Sequence, residues 1–367
     1  SQSLDACTTA NQNTAVGYET LSNCTTGIRN TAIGRKALRD VTTATQNTAV
    51  GSSCLLNNTG GNNVAVGNDA LVQNTTGGNN VAIGSLSLDA NTTAGGNTAV
   101  GYQTLSEVQT HTGLTAVGYR ALAVSNGGNN NTAVGYNAGV ACTTGDSNVM
   151  MGVNSLLSLT TGDRNTGIGH QALEGVTTAD NNTALGYQAG YNYTSGGQSV
   201  FIGRNAGGTG GSGVTAIGYF ACENTTADNT LGIGYQALAA NTSGGDNLAV
   251  GNNALDANTT GANNTGVGRN ALGANTTANN NTAVGSGALE ACTTGGTNTA
   301  VGRLALNSIT TGIYGVAVGY QALKLNTASR NTAVGYNALS SNTTGQYNVA
   351  VGTEALSGHT EGNYNHG

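Results

Sequence analysis

The sequence predicts an all-β fold, a parallel β-solenoid or β-roll of about 21 coils, on the strength of three observations. First, glycines recur at a nearly fixed interval: from Gly17, Gly34 and Gly51 through to Gly352 the spacing is 17 or 16 residues, with a single 15 between Gly203 and Gly218. They anchor one sentence, N-T-A-V-G-Y-x-A-L-x-x-N-T-T-G-x-x, and a fixed short period means stacked units, none able to bury its apolar face alone. Second, counting from the anchor glycine as zero, position −1 is apolar in every repeat (Val16, Ile33, Val50, Val66 and so on to Val351). Third, the period leaves no room for a competing helical pattern.

Each element of the coil follows from its column. Position −3 is Thr, Val or Leu and position −2 is usually Ala, so a short β-branched strand ends on the glycine. Position +4 is Leu in most repeats (Leu21, Leu38, Leu71, Leu173, Leu356) behind a small residue at +3, which predicts a second short strand. The N-T-T-G segment then supplies the turn, because glycine accepts positive φ and Asn and Thr bond their own backbone. Identical coils stacked about 4.8 Å apart make a rod roughly 100 Å long.

Two asparagine columns read as structural. Position −4 holds Asn13, Asn30, Asn47, Asn63, Asn131 and Asn348 among others. Position +7 is often Asn but exchanges with Cys24, Leu159, Val176 and Ile309, so it faces inward and its amides must bond each other and the turn backbone. The −2 column admits Met150 and Phe201 but never a charge. With −1 and −3 taken as the core face, −2 points outward yet behaves as buried, which predicts a covering subunit, three rolls around an axis being favoured. The whole of residues 1–367 reads as one repeat domain. Within it residues 190–214 form an irregular glycine-rich joint, where Gly190 and Gly207 replace the leucine and Gly207–Gly213 is nearly all glycine; Gly139 makes the same replacement earlier. Ser1 falls at +1 and Gly367 at −2 of partial repeats without a visible cap, so the ends are expected to stack on other chains or to join flanking domains.

Composition narrows the function. Charged residues are 8% of the chain, net charge is −6 and Lys plus Arg number 11, which leaves no electrostatic footprint for nucleic acid. No apolar run approaches the length of a membrane span, and no signal peptide opens the chain, although a processed secreted protein reads the same way. Of six cysteines, Cys7 and Cys24 share one column on consecutive coils, within reach of a disulfide, the alternative being small buried thiols.

Candidate sites each carry a plainer alternative. Asp146, Asp163 and Asp180 stand at one turn position on consecutive coils, where a cation such as Ca²⁺ would relieve their repulsion; solvated turn residues, with Arg164 adjacent, are the other reading. Tyr102, Tyr119 and Tyr136 at +1 form a strip able to contact glycans, or rows that merely stabilise the stack. Ice binding finds little support, since the adjacent threonines sit at a turn and each −3 threonine shares its face with Val. Four scattered histidines and no nucleophile constellation give no support for an enzyme.

The segments N-T-A-V-G-Y-x-A-L at Asn331–Leu339 and its variant at Asn182–Gly190, with their N-T-T-G turns, resemble repeats of bacteriophage tail-fibre and tail-fibre-like proteins. The same strand is similar to the S-V-A-I-G motif of trimeric autotransporter adhesin heads. This resemblance covers essentially the whole chain. It implies an extracellular, cell-surface or virion-surface fibre, structural or adhesive, whose partners are further copies of itself and surface glycans. A self-polymerising filament or sheath protein of an extracellular matrix is the other reading.

Overall fold

A computed structural model describes residues 3–367 and divides the chain into two units, one up to Ala184 and the other Leu185–Gly367. Each unit is a parallel β-solenoid, and no helix occurs among the described residues. Among the described residues there are 21 strands of three residues, each occupying positions −3 to −1. In the first unit they run from β1 (Thr14–Val16) to β10 (Thr166–Ile168), and the division falls inside β11 (Thr183–Leu185). In the second unit they run from β12 (Val200–Ile202) to β21 (Val349–Val351). Pairing is parallel and in register, Thr14 against Thr31, Ala15 against Ala32, Val16 against Ile33. The 15-residue interval leaves register intact: Val200, Phe201 and Ile202 pair with Thr215, Ala216 and Ile217.

The second strand expected around +4 does not form. Backbone φ is positive at the anchor glycine, at +2 and at +4, as at Gly101 (139°), Gln103 (50°) and Leu105 (53°), so this arm is a run of turns. It still pairs coil to coil: the Gln103 amide donates to the Ser85 carbonyl and the Leu105 amide to the Ala121 carbonyl. A left-handed conformation costs a leucine about 1–2 kcal/mol. Full burial of its side chain, worth about 1.5–3 kcal/mol, offsets that cost. Leu21, Leu38, Leu105 and the other +4 leucines up to Leu339 are indeed fully buried, Leu356 on the last coil only partly.

The strand faces are the reverse of the expected ones. Ala32, Ala49, Ala99 and the other −2 residues from β2 onward are buried inside their own coil, whereas −1 and −3 face outward. The alanine column therefore offers nothing to a neighbouring subunit, and the case for a covering subunit, and for three rolls, built on it does not hold. The physical reason is the thinness of the coil. The +4 leucine lies directly across from −2: a β-carbon added to Gly167 would meet Leu156 Cδ1 at 3.2 Å, and one added to Gly266 would meet Leu255 Cδ1 at 3.3 Å. Nothing larger than an alanine fits beside it.

Where −2 is large, the leucine is lost. Met150 occupies the space of residue 139, where a β-carbon would fall on its sulfur, and a β-carbon on Gly207 would fall on the Phe201 ring. Phe201 stacks edge-on against Tyr193 at 4.9 Å, both fully buried, and the Tyr193 hydroxyl donates to the Gly211 carbonyl at 2.6 Å. Within residues 190–214, Gly207 and Gly196 thus have a packing role: they make room for the Phe201 ring and the Tyr193 hydroxyl.

Asparagine ladders bond the stack lengthwise. At −4, Asn148 Oδ1 accepts the Asn165 amide at 2.8 Å, while its Nδ2 donates to the Gly162 carbonyl at 2.9 Å. At +7 the amides bond one another, Asn74 to Asn58 and Asn91 to Asn74 at 2.6 Å each. Each such run stops where the next coil offers no donor. Asn91 Oδ1 faces the coil of Val108 and Asn275 Oδ1 that of Cys292, and both oxygens are buried without a partner.

Candidate functional site

Position +1 follows the anchor glycine and emerges on the surface, so a tyrosine there meets its counterpart one strand spacing away. Tyr102 and Tyr119 stack with centroids 5.6 Å apart and planes at 16°, and Tyr119 and Tyr136 at 5.0 Å and 8°. The rings are 41–51% exposed. Their faces, however, are turned to one another, so the strip presents ring edges and hydroxyls to solvent and only its terminal rings have an open face.

Sequence reading missed that arginines belong to these stacks. Arg204 lies between Tyr187 and Tyr219, its guanidinium carbon 5.6 and 5.4 Å from the ring centroids, and Tyr235 continues the column at 5.6 Å. A second column, at −5, runs Tyr314, Arg330, Tyr347, Tyr364 with distances of 5.6, 5.5 and 4.9 Å. The signal was present in their 16- and 17-residue spacings, but elsewhere this column is mostly Asn, Gln or Gly, with Arg29, Ser147, Arg164, Asp246 and Thr297 as exceptions. Each exposed cation–π contact contributes about 0.5–1 kcal/mol.

The aspartates Asp146, Asp163 and Asp180 are brought together as expected, and their inner oxygens are already engaged. Asp146 Oδ1 accepts the Asn129 amide at 2.6 Å, Asp163 Oδ1 the Asp146 amide at 2.8 Å, and Asp180 Oδ1 the Asp163 amide at 2.7 Å. Arg164 lies 3.8 Å from Asp163 Oδ2. Among the described residues no group of three or more His, Cys, Asp or Glu is placed to hold a metal ion. The first threonine of the T-T pair also spends its hydroxyl on the stack, Thr75 Oγ1 donating to the Thr92 carbonyl at 2.8 Å and Thr160 Oγ1 to that of Thr177 at 3.0 Å.

All six cysteines are free thiols, so the bridge between Cys7 and Cys24 is not formed in this structure. At +7, Cys24, Cys142 and Cys292 stand in for asparagine, each thiol donating to the turn carbonyl that an amide would otherwise reach. Burial pushes Cys54, Cys142 and Cys292 up to about 11 and Cys222 up to about 12. At pH 8 these thiols are thus almost wholly protonated and unreactive. An aromatic disulfide titrant is expected to react quickly with the exposed Cys7 alone and with the other five only after denaturation. Fast reaction of more than one thiol in the native chain would contradict this packing.

A cavity of about 250 Å³ lies among Asn253, Asp256, Asn270, Gly273, Ala274 and Glu290. Gly273 opens it, standing at +5 between Asp256 and Glu290 on the flanking coils. Glu290 accepts Asn270 Nδ2 and Asn307 Nδ2 at 3.0 Å each, and burial raises the Asp256 carboxyl above its usual range. No protein-family model matches the chain, and no curated protein matches it in sequence.

Proposed function

We propose that this chain is a structural segment of an extracellular fibre, attaching to surfaces through many weak contacts. One observation carries the reading: the polar and aromatic chemistry of each coil is directed at the next coil. Strand amides, the two asparagine ladders, the turn threonines, the Asp146–Asp163–Asp180 carboxylates and the tyrosine stacks all run coil to coil. Chemistry spent this way supports extension and endurance. Adhesion is the finer part of the proposal and falls to the exposed edges and hydroxyls of Tyr102, Tyr119 and Tyr136, whose repetition suits avidity over single-site affinity.

Electron microscopy of the purified chain together with limited trypsin digestion tests the structural part. Discrete elongated particles that survive digestion are expected, whereas rapid cleavage to small peptides would oppose the proposal. Continuous filaments would favour the self-polymerising sheath reading. For adhesion, binding on a glycan array is expected and should be lost when the three tyrosines are replaced by alanine; no binding by the parent chain removes that part.

A further inference from the structure

The outward strand face has no partner in the fold so far described. Column −1 is Val, Ile, Leu or Met and column −3 is Thr, Val or Leu in every coil, and neither carries a charge anywhere. These residues are outward-facing despite being apolar: Ile33, Ile83, Met151, Leu185 and Val318 are 38–47% exposed. Other exposed columns differ in kind, since +1 admits Arg35 and Arg204 and +2 admits Glu19, Lys36 and Asp69. Soluble chains rarely keep so regular an apolar strip open to water.

We propose that this face is where a second copy of the chain packs, sheet face against sheet face, each unit on its counterpart. Three properties select a copy of the same chain over another partner. Ridges of Val and Thr recur about every 4.8 Å along the strip, and only a surface of the same period can interdigitate with them at every coil. The strip is free of charge, so two chains of net charge −6 meet there without apposing like charges. The area also suffices. Ten strands, each about 10 Å wide, make a strip of about 480 Å² in each unit, so pairing both units buries about 2,000 Å² in all, within the range of stable dimers.

A single strip three residues wide meets one partner, and the pairing is therefore twofold. It rests on the structural reading of the chain but fails separately from it. A folded, protease-resistant monomer would overturn the pairing and leave that reading standing.

Sedimentation equilibrium of the full chain at micromolar concentration supplies the test. Two chains' mass is expected, with a melting temperature that rises with concentration. The combined variant Val117→Lys, Val134→Lys, Ile217→Lys and Val250→Lys is expected to give one chain's mass with an unchanged far-ultraviolet circular dichroism spectrum. Should the lysine variant fail to fold, Val→Thr at Val117, Val134 and Val250 with Ile217→Thr retains strand propensity, and is expected to weaken the dimer at least tenfold. Three outcomes would overturn the pairing: a monomeric or three-chain parent, undiminished association in a folded variant, or a monomer whose exposed face depresses ice growth.

Discussion

Gly118→Ala is expected to destabilise the first unit by about 3 kcal/mol or more, whereas Gly145→Ala should cost about 1 kcal/mol or less. Both glycines are tightly packed, for a β-carbon on Gly118 would fall on the Gly135 carbonyl and one on Gly145 on the Gly162 carbonyl. Their backbones differ. Gly118 has φ of +132°, a region essentially closed to residues with a side chain, and no anchor position in the chain holds anything but glycine. Gly145 has no positive φ, and its column already carries Ala44, Ala94, Ala179 and Ala278, so small shifts make room for a methyl group there. Urea unfolding of the two variants, followed by circular dichroism, measures the difference. Equal losses would mean that coil-to-coil crowding, and not backbone conformation, fixes the anchor glycine.

The second large effect is a coupling. Met150→Ala is expected to cost about 2–5 kcal/mol by leaving a cavity, and Gly139→Leu about 1–3 kcal/mol or more by forcing a leucine onto the Met150 side chain. The double variant Gly139→Leu/Met150→Ala should return to within about 1 kcal/mol of the parent, because it restores the Ala and Leu pair found in most coils. Backbone conformation does not stand in the way: Gly139 has φ of 58°, close to the 49° and 50° of Leu122 and Leu156 on the adjacent coils. A thermal or denaturant double-mutant cycle decides it, and additive losses would show that −2 and +4 do not share one space. The same reasoning covers Phe201, whose ring fills the space of a side chain at Gly207.

Much of this was legible in the sequence, and one part was legible but misread. The glycine period located all 21 strands at −3 to −1. The two asparagine columns pointed correctly to inward ladders, since a site exchanging Asn for Cys and Val has no place on a wet surface. The strand faces were assigned the wrong way round because a three-residue strand of period two offers two faces, and β-branched residues are the usual core. A corrective signal lay in the pairs Gly139 with Met150 and Gly190 with Phe201, each 11 residues apart. A large residue at −2 removes the leucine at +4 only if both fill the same interior. For the candidate sites, spacing correctly stacked Tyr102, Tyr119 and Tyr136 and aligned Asp146, Asp163 and Asp180. It gave no hint that the tyrosine faces would be covered or the aspartate oxygens already bonded, because those depend on where side chains turn.

The sequence by itself determined the period, the strand positions and the lengthwise ladders, because each is written in a residue type repeated at fixed spacing. Tertiary structure alone decided which face is inside. Beside the +4 leucine the strand has inward room only for the small residue at −2, so the branched residues of the strand, at −1 and −3, are turned outward. That choice rests on a volume shared between two arms of the coil, and no single column records it.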